Sequence, residues 1–190
     1  MMNDIDYKVV LPASVKAEID GDLIRFTGPQ GTVEKRLPTQ RIDITLSDTE
    51  NAVNLVSKNP TQMEKKLVNT YRAHIRHMVV GVVEGHTYKL KVCSGHFPMK
   101  VSLNDGMLEV KNFLGENKPR TLKIKEGADV KIDGDDIVIN SPSKELSGQV
   151  AADIEQVTRV TNKDRRVFQD GIYITEKSKT KQIESLEFAE

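Results

Sequence analysis

The chain contains little cysteine and few aromatic residues. Among its 190 residues, Cys93 is the single cysteine, tryptophan is missing, and aromatic side chains make up 5%. One cysteine excludes an internal disulfide, as is usual in a reducing cytosol. The sequence has no apolar run long enough for a transmembrane helix, so no membrane partner is predicted. Residues 1–8 are polar and acidic and lack the apolar core of a secretory signal, so we expect a cytoplasmic protein.

The chain also lacks net charge. Lys plus Arg and Asp plus Glu both number 28, which argues against a nucleic-acid partner because phosphate binding depends on cations. The charges are nevertheless segregated. Residues 86–125 hold 8 basic and 3 acidic residues and residues 158–181 hold 7 and 3, whereas residues 126–157 hold 2 and 8. Such blocks predict a polarised surface, although solvated faces without a partner give the same pattern.

The sequence lacks the patterns of the common enzyme classes. It has no Ser-His-Asp order, Walker loop or His-Glu-x-x-His helix, so we predict no enzymatic activity, no cofactor and no small-molecule substrate. We also predict no metal site. Asp133-Gly134-Asp135-Asp136 lies between two short strands, which favours a hairpin turn over a calcium loop. Cys93 with His96, and His74 with His77, each have the spacing of half a metal site but lack further ligands.

The sequence repeats itself at an offset of 84 residues. A strand-like segment runs into Gly28-Pro29-Gln30-Gly31 in the first half and into Asn112-Phe113-Leu114-Gly115 in the second. Three further strand-like segments follow in each half. The first of the two loops precedes a strand rather than a helix, so we predict a tight turn there and not a phosphate cradle.

One helix is predicted in each half. Asn59-Pro60 and Ser141-Pro142 are typical of helix starts, with the polar residue as N-cap. Apolar residues then recur at steps of three and four, which places them on one face that covers a sheet. These positions are Met63, Leu67, Tyr71, Ile75, Met78 and Val79 in the first helix, and Leu146, Val150, Ile154 and Val157 in the second.

We therefore predict an α+β fold of two tandem, internally duplicated small domains. Each is a mostly antiparallel β-sheet packed by one long helix. The predicted domains span residues 8–82 and 83–177, and residues 178–190 form a polar C-terminal tail.

The loop after Met107-Leu108-Glu109-Val110 is the first candidate binding site. It places Phe113 and Leu114 between cations, and exposed rings between cations can stack on nucleotides while the cations hold phosphates. The alternative, which the sequence leaves open, is that Phe113 folds into the core. The candidate RNA-binding residues of this loop are Lys111, Asn112, Lys118 and Arg120.

The segment after the second helix is the other candidate site. Cations near a helix C-terminus are stabilising in themselves. Four cations within eight residues exceed what that effect needs, so phosphate contact is favoured. The candidates here are Arg159, Asn162, Lys163, Arg165, Arg166 and Gln169, together with Lys177 beyond the predicted Asp170-Gly171 turn.

Three motifs resemble those of the large-subunit ribosomal protein family called "L six" in bacteria and "L nine" in eukaryotes. They are Ser94-Gly95-His96-Phe97-Pro98, Asn112-Phe113-Leu114-Gly115-Glu116 and residues 161–173, in the family's order. The resemblance covers about residues 8–177 and fits the archaeal and eukaryotic branch best. It implies a duplicated architecture and a structural role in the large ribosomal subunit. It also implies binding of large-subunit rRNA, mainly through the second domain, near the factor-binding face and the sarcin–ricin loop, with neighbouring ribosomal proteins as further partners.

One departure limits what the resemblance implies. Bacterial members carry a Tyr-Lys-Gly-Lys-Gly run before the last strand, where this chain has Val167-Phe168-Gln169-Asp170-Gly171. Contacts of bacterial members therefore do not transfer to these positions. We expect the acidic block, residues 126–157, to face away from RNA. The alternative function is a protein-interaction module whose polarised charge docks an acidic partner.

Overall fold

The computed structural model describes residues 4–47, 51–58 and 60–178, together with the backbone of residues 188–189. The chain divides into two compact units, residues 1–85 with 180–190 and residues 86–179. Most of the predicted polar tail lies outside the described residues. No helix in the described part of the chain is long and apolar enough to span a membrane.

The first unit begins with six strands followed by one long helix. These elements are β1 (Ile5–Val10), β2 (Lys16–Asp20), β3 (Leu23–Gly28), β4 (Gly31–Arg36), β5 (Asp43–Ser47), β6 (Ala52–Ser57) and α1 (Gln62–Val83).

The second unit repeats this order and adds a strand. Its elements are β7 (His86–Cys93), β8 (Lys100–Asn104), β9 (Met107–Lys111), a short 3₁₀ turn (Phe113–Gly115), β10 (Arg120–Lys123), β11 (Asp129–Asp133), β12 (Asp136–Ser141), α2 (Lys144–Val157) and β13 (Gly171–Glu176). A last short strand, β14 (Phe188–Ala189), belongs to the first unit.

Both units have the same strand order. The first contains the sheets β14-β1-β6-β5 and β2-β3-β4, and the second contains β13-β7-β12-β11 and β8-β9-β10. Every pair of neighbouring strands is antiparallel. The predicted α+β fold with an internal duplication is therefore confirmed, and the repeat extends to the added edge strand, since β14 pairs with β1 as β13 pairs with β7.

Both helices begin two residues after the proline predicted as their first residue, so each N-cap directly follows that proline. Thr61 is the N-cap of α1, where its hydroxyl accepts a hydrogen bond from Met63 N–H and the Glu64 carboxylate accepts one from Thr61 N–H. Ser143 is the N-cap of α2 and accepts from Leu146 N–H at 3.3 Å. The prediction of Ser141 as the cap is wrong, because Ser141 lies before the helix, where its hydroxyl donates to Gly127 O and accepts from Ser143 N–H. The predicted cap Asn59 lies outside the described residues.

Each helix packs its apolar face on the strands of its own unit. In α1 the core residues are Val68, Tyr71, Ile75, Met78, Val79 and Val82, and in α2 they are Val150, Ala151 and Ile154. The prediction that Met63 lies on the buried face of α1 is wrong, because this residue of the first helical turn is 57% exposed. Two separate cores of this kind are expected for domains that each pair one sheet layer with one helix.

Candidate nucleic-acid interface

The three sequence motifs meet at one end of the second unit. The Ser94–Pro98 loop leaves the end of β7, the 112–119 loop leaves the end of β9, and the 158–170 segment connects α2 to the start of β13. Cys93 and Gly171 are register partners, which places two of these loops at the same edge of the sheet. Hydrogen bonds described below join the third. We call this region the loop end of the second unit.

Asp170 anchors the Ser94–Pro98 loop from one side. Its carboxylate accepts hydrogen bonds from the backbone N–H groups of Gly95 and His96, and its Oδ2 lies 2.9 Å from His96 Nδ1. The residue is only 2% exposed. Burial acts to raise the pKa of Asp170, but the hydrogen bonds from Gly95 and His96 outweigh it and hold the pKa below its usual value. Asp170 therefore stays ionised and fixes the loop.

Asn112 anchors the same loop from the other side. It has a left-handed backbone (φ +61°) that ends β9, and its side-chain amide donates to Pro98 O at 3.0 Å. Gly115 also has a positive φ, and the Phe97 ring lies 3.6 Å from the position a Cβ atom would take there. We predicted Asn112 as an RNA contact, and the structure gives its amide nitrogen a partner within the protein.

The loop between β9 and β10 is fixed by Phe113 and Arg120. The Phe113 ring is 1% exposed, so it belongs to the core. The Arg120 guanidinium lies 4.2 Å from the centroid of that ring and donates to Val157 O at 2.7 Å, at the last residue of α2. It also forms a bidentate ion pair with Glu116 at 2.6 and 2.9 Å, which lowers the pKa of that carboxyl. The Arg120 guanidinium, which has five N–H donors, thus makes four hydrogen bonds to acceptors within the protein.

Six of the predicted cations are exposed at or near the loop end. Lys111 is paired with Glu109 at 3.1 Å, and Arg166, whose side chain is 91% exposed, is paired with Asp164 at 2.9 Å. Lys163 lies 4.7 Å from the centroid of the Phe168 ring. The other three, Lys118, Arg159 and Arg165, have no ion-pair partner within the residues that the structure describes. Exposed cations of this kind exchange solvent and counterions for phosphate contacts readily.

The two predicted amides shape the 158–170 segment. Asn162 has a left-handed backbone (φ +58°) and so turns the chain after α2. Gln169 donates from its side chain to Arg166 O at 3.1 Å, and its own carbonyl accepts from the Tyr173 hydroxyl at 3.1 Å. Both residues therefore contribute to the conformation of the segment that carries these cations.

Lys177 does not join this group. It follows the far end of β13, where Glu176 pairs in register with Lys89 on β7. The loop end lies beyond Gly171 at the opposite end of the six-residue strand β13, about 20 Å away at the rise of an extended chain. The structure thus separates this predicted site residue from the others.

The acidic turn between β11 and β12 also lies at the loop end of the sheet. Asp133 and Asp136 are register partners, which confirms the predicted hairpin turn. Asp135 O accepts from Val92 N–H at 2.7 Å, next to Cys93 at the end of β7. This part of the acidic block therefore lies at the same end of the sheet as the cationic loops, and the expectation that the block faces away from RNA stays a prediction. Within the described residues no group of three or more His, Cys, Asp or Glu side chains is arranged to hold a metal ion.

An open groove lies beside the Ser94–Pro98 loop. Its volume is about 720 Å³, and its lining residues are Cys93, Ser94, Gly95, His96, Arg165, Val167, Gln169, Asp170 and Tyr173. Sequence reasoning did not place His96, Phe97 or Asp170 among the binding residues. The available signal was a Ser-Gly pair and a proline directly after a strand, which indicates an exposed loop. The partnership of Asp170 with a loop some 75 residues away leaves no local signal.

The corresponding loop of the first unit is a two-residue turn, as predicted. Gly28 and Gly31 are register partners across Pro29 and Gln30. Gln30 N–H donates to Val82 O at 2.9 Å, and a Cβ atom on Gly28 would lie 2.8 Å from the same oxygen. The turn is therefore packed tightly against the end of α1.

Comparison with known proteins gives a consistent result for both units. A family model described as "Ribosomal protein L6" matches residues 11–85 and again residues 97–171. A "Large ribosomal subunit protein uL6" from Methanococcus vannielii is 39% identical over 171 residues, which cover 90% of this chain and 93% of that protein. Proteins with the same description from Halobacterium salinarum and Methanosarcina mazei are 41% and 38% identical, over 90% and 94% of this chain and 94% and 100% of theirs.

Proposed function

The chain belongs to the ribosomal protein L6 family, and on this basis we propose that it is a structural component of the large ribosomal subunit. Its partners are large-subunit rRNA and neighbouring ribosomal proteins, and its location is the cytoplasm, within the ribosome. The rRNA it binds lies near the factor-binding face and the sarcin–ricin loop, as the family resemblance implies. Its role is support of the RNA fold and not catalysis.

One observation carries the RNA-binding part of this proposal. Three loops that are distant in sequence converge at the loop end of the second unit and bring exposed cations with them. Lys118, Arg159 and Arg165 have no ion-pair partner in the described part of the chain, and they are the side chains best placed to neutralise backbone phosphates. Because the loops are already held by Asp170 and Asn112, little conformational entropy is lost on binding.

The other predicted site residues have different roles in this proposal, either phosphate contact or support of the loops. Lys111, Lys163 and Arg166 contact phosphate after exchanging their present partners, and this exchange is easy because all three side chains are exposed. Asn112, Arg120, Asn162 and Gln169 hold the loops in shape. Lys177, at the far end of β13, meets a separate stretch of the RNA. Selection among RNA folds comes from shape and loop fit, since the deep groove of A-form RNA hides its base edges.

Sedimentation of a native extract through a sucrose gradient tests the function. We expect the chain in the large-subunit peak, in one copy per subunit and stable to moderate salt. Migration as a free small protein, with none on subunits, would contradict the proposal.

Nuclease treatment separates the proposal from the alternative of a protein-interaction module. RNA digestion should release the chain from the fast-sedimenting fraction if RNA holds it there. Retention on an acidic protein partner after complete digestion would favour the module instead. Salt alone does not discriminate, because both contacts are electrostatic.

A further inference from the structure

We propose that Phe97 stacks on an unpaired base of the bound RNA and that Asp170 is the residue that positions it. This inference rests on the proposed function for the presence of RNA. It assigns a role to the Ser94–Pro98 loop, which the cation pattern alone does not explain.

The Phe97 ring is exposed, although only 5% of the residues in this chain are aromatic. It is 43% exposed, and the neighbouring residues of the Ser94–Pro98 loop are exposed as well. Phe113, the aromatic of the adjacent loop, is instead buried in the core. A large ring left in water at the tip of a loop loses the stabilisation that burial would give it. A binding partner that covers the ring supplies this missing stabilisation.

The loop under this ring is held more firmly than an exposed loop requires. Asp170 is buried and ionised, and in the described structure its carboxylate bonds only to Gly95 and His96. Burying a carboxylate is unfavourable unless its hydrogen bonds are good. That a buried carboxylate fixes an exposed loop indicates that the conformation of this loop matters for binding.

The position of the Phe97 ring is fixed by contacts within the protein. Asn112 holds Pro98 O, directly after Phe97, at 3.0 Å. Ring atoms of Phe97 lie 3.6 Å from the Cβ position of Gly115, so the ring rests against a residue that has no side chain. One side of Phe97 therefore contacts protein, and the exposed part remains available to a flat partner.

The surroundings of the ring favour RNA over a protein partner. The adjacent loop, which the Phe97 ring contacts at Gly115, carries the exposed Lys118 and follows the exposed Lys111 at the end of β9. Next to Phe97 in the chain, the His96 ring lies 5.2 Å from that of Phe168, and Lys163 lies 4.7 Å from the centroid of the Phe168 ring. An exposed ring at a loop end that carries several cations suits a nucleotide, whose base stacks while its flanking phosphates are neutralised. The base must be unpaired, because paired bases inside a duplex do not offer a free face.

The corresponding connection of the first unit is not an exposed loop with an aromatic ring. The connection between β1 and β2 spans residues 11–15 and buries both Leu11 and Val15. Since the strand orders of the two units agree, the exposed ring is an addition of the second unit and not a requirement of the fold.

Binding of the full chain to large-subunit rRNA tests the role of Phe97. We expect Phe97→Leu to weaken binding by about 5- to 150-fold, the range found for loss of one base–aromatic stack. Phe97→Trp, which keeps an aromatic ring at this position, should retain the wild-type affinity. Met107→Ala is the matched control, because Met107 is also 43% exposed but begins β9, at the opposite end of that strand from Lys111. Met107→Ala should leave the affinity unchanged.

A double-mutant cycle tests the positioning role of Asp170. Asp170→Asn should weaken RNA binding in the wild-type background but have little further effect in Phe97→Leu. Circular dichroism establishes that each variant is folded. Should Asp170→Asn not fold, Asn112→Ala releases the other side of the loop and serves in the same cycle. Additive losses would overturn the positioning role.

The failure of this inference is distinguishable from failure of the proposed function. If Phe97→Leu binds like wild type while Arg165→Glu with Arg166→Glu loses affinity, stacking is wrong and RNA binding stands. If wild type itself has no affinity for large-subunit rRNA, both are wrong.

Discussion

The two units of this chain have the same strand order and differ mainly in the loops at one end. In the first unit the β1–β2 connection buries Leu11 and Val15, and Pro29-Gln30 make a two-residue turn. In the second unit the equivalent Ser94–Pro98 loop is exposed, and the 112–119 loop replaces the short turn. The duplicated scaffold is therefore kept in both units, and the loops in which they differ are those to which we assign RNA binding.

The two units also close these loops with different chemistry. In the first, a backbone N–H of Gln30 satisfies Val82 O near the end of α1. In the second, the guanidinium of Arg120 satisfies Val157 O at the end of α2. Both solve the same problem, the unpaired carbonyls at a helix C-terminus. Arg120 is therefore engaged within the protein, so the second unit has fewer cations available to a partner than its sequence suggests.

The largest expected effect concerns the core of the second unit. Phe113→Ala should lower its free energy of unfolding by about 3 to 5 kcal/mol, because the ring is fully buried and its loss leaves a cavity. Phe97→Ala should change stability little, since that ring is partly in water. Denaturant unfolding of both variants checks the contrast. Equal losses would contradict the division of the two rings between core and surface.

The next effect compares cations of the two units. Arg165→Glu with Arg166→Glu should weaken binding to large-subunit rRNA by roughly 100-fold, because each substitution replaces a cation with a carboxylate that repels phosphate. Lys65→Glu with Lys66→Glu is the matched control, an exposed neighbouring pair on α1 of the first unit. Filter binding at fixed salt measures both. An equal loss in the control would remove the distinction between the units.

A smaller effect is expected for the anchor of the Ser94–Pro98 loop. Asp170→Asn should lower the free energy of unfolding by about 1 to 2 kcal/mol at neutral pH, since charge-assisted hydrogen bonds become neutral ones. The pKa of Asp170 is depressed in the folded state. Its contribution is therefore present above the unfolded pKa, near 4, and is lost as the pH falls through the folded pKa.

Unfolding curves of wild type and Asp170→Asn at several pH values check this sign. The difference between them should be constant near neutral pH and shrink below about pH 4. A difference that grows on acidification would mean that the carboxyl is protonated in the folded protein.

The smallest effect concerns Arg120. Arg120→Lys keeps the charge but loses the bidentate pair with Glu116 and the fixed bond to Val157 O, so stability should fall by about 1 kcal/mol. RNA affinity should stay within about twofold, because a cation remains and the phosphate-facing residues are unchanged. Thermal unfolding and filter binding separate the two readouts. A large loss of affinity with unchanged stability would make Arg120 a direct RNA contact.

The sequence was sufficient to predict the fold because its signals are local. The repeat at Gly31 and Gly115 and the apolar steps of the helices all lie within short windows, and the family resemblance is confirmed. The cap of α2 was misplaced because Ser141 and Ser143 both offer a hydroxyl close to the helix start, and only that of Ser143 accepts from a helical N–H, at Leu146.

The binding surface could be predicted only in part. The cations were visible in the sequence, but the engagement of Arg120 with α2 and Glu116 was not. The position of Phe113 stayed open, because an aromatic beside charges suits a core edge or a surface equally well. The bond between Asp170 and Gly95 depends on how distant strands pair, and a single sequence does not contain that information.

The most direct test of the account is ultraviolet cross-linking of the full chain to large-subunit rRNA, with the cross-linked residues identified by mass spectrometry. We predict cross-links concentrated in the Ser94–Pro98 loop, the 112–119 loop and the 158–170 segment. Cross-links concentrated in residues 4–85, with few in these three loops, would contradict it.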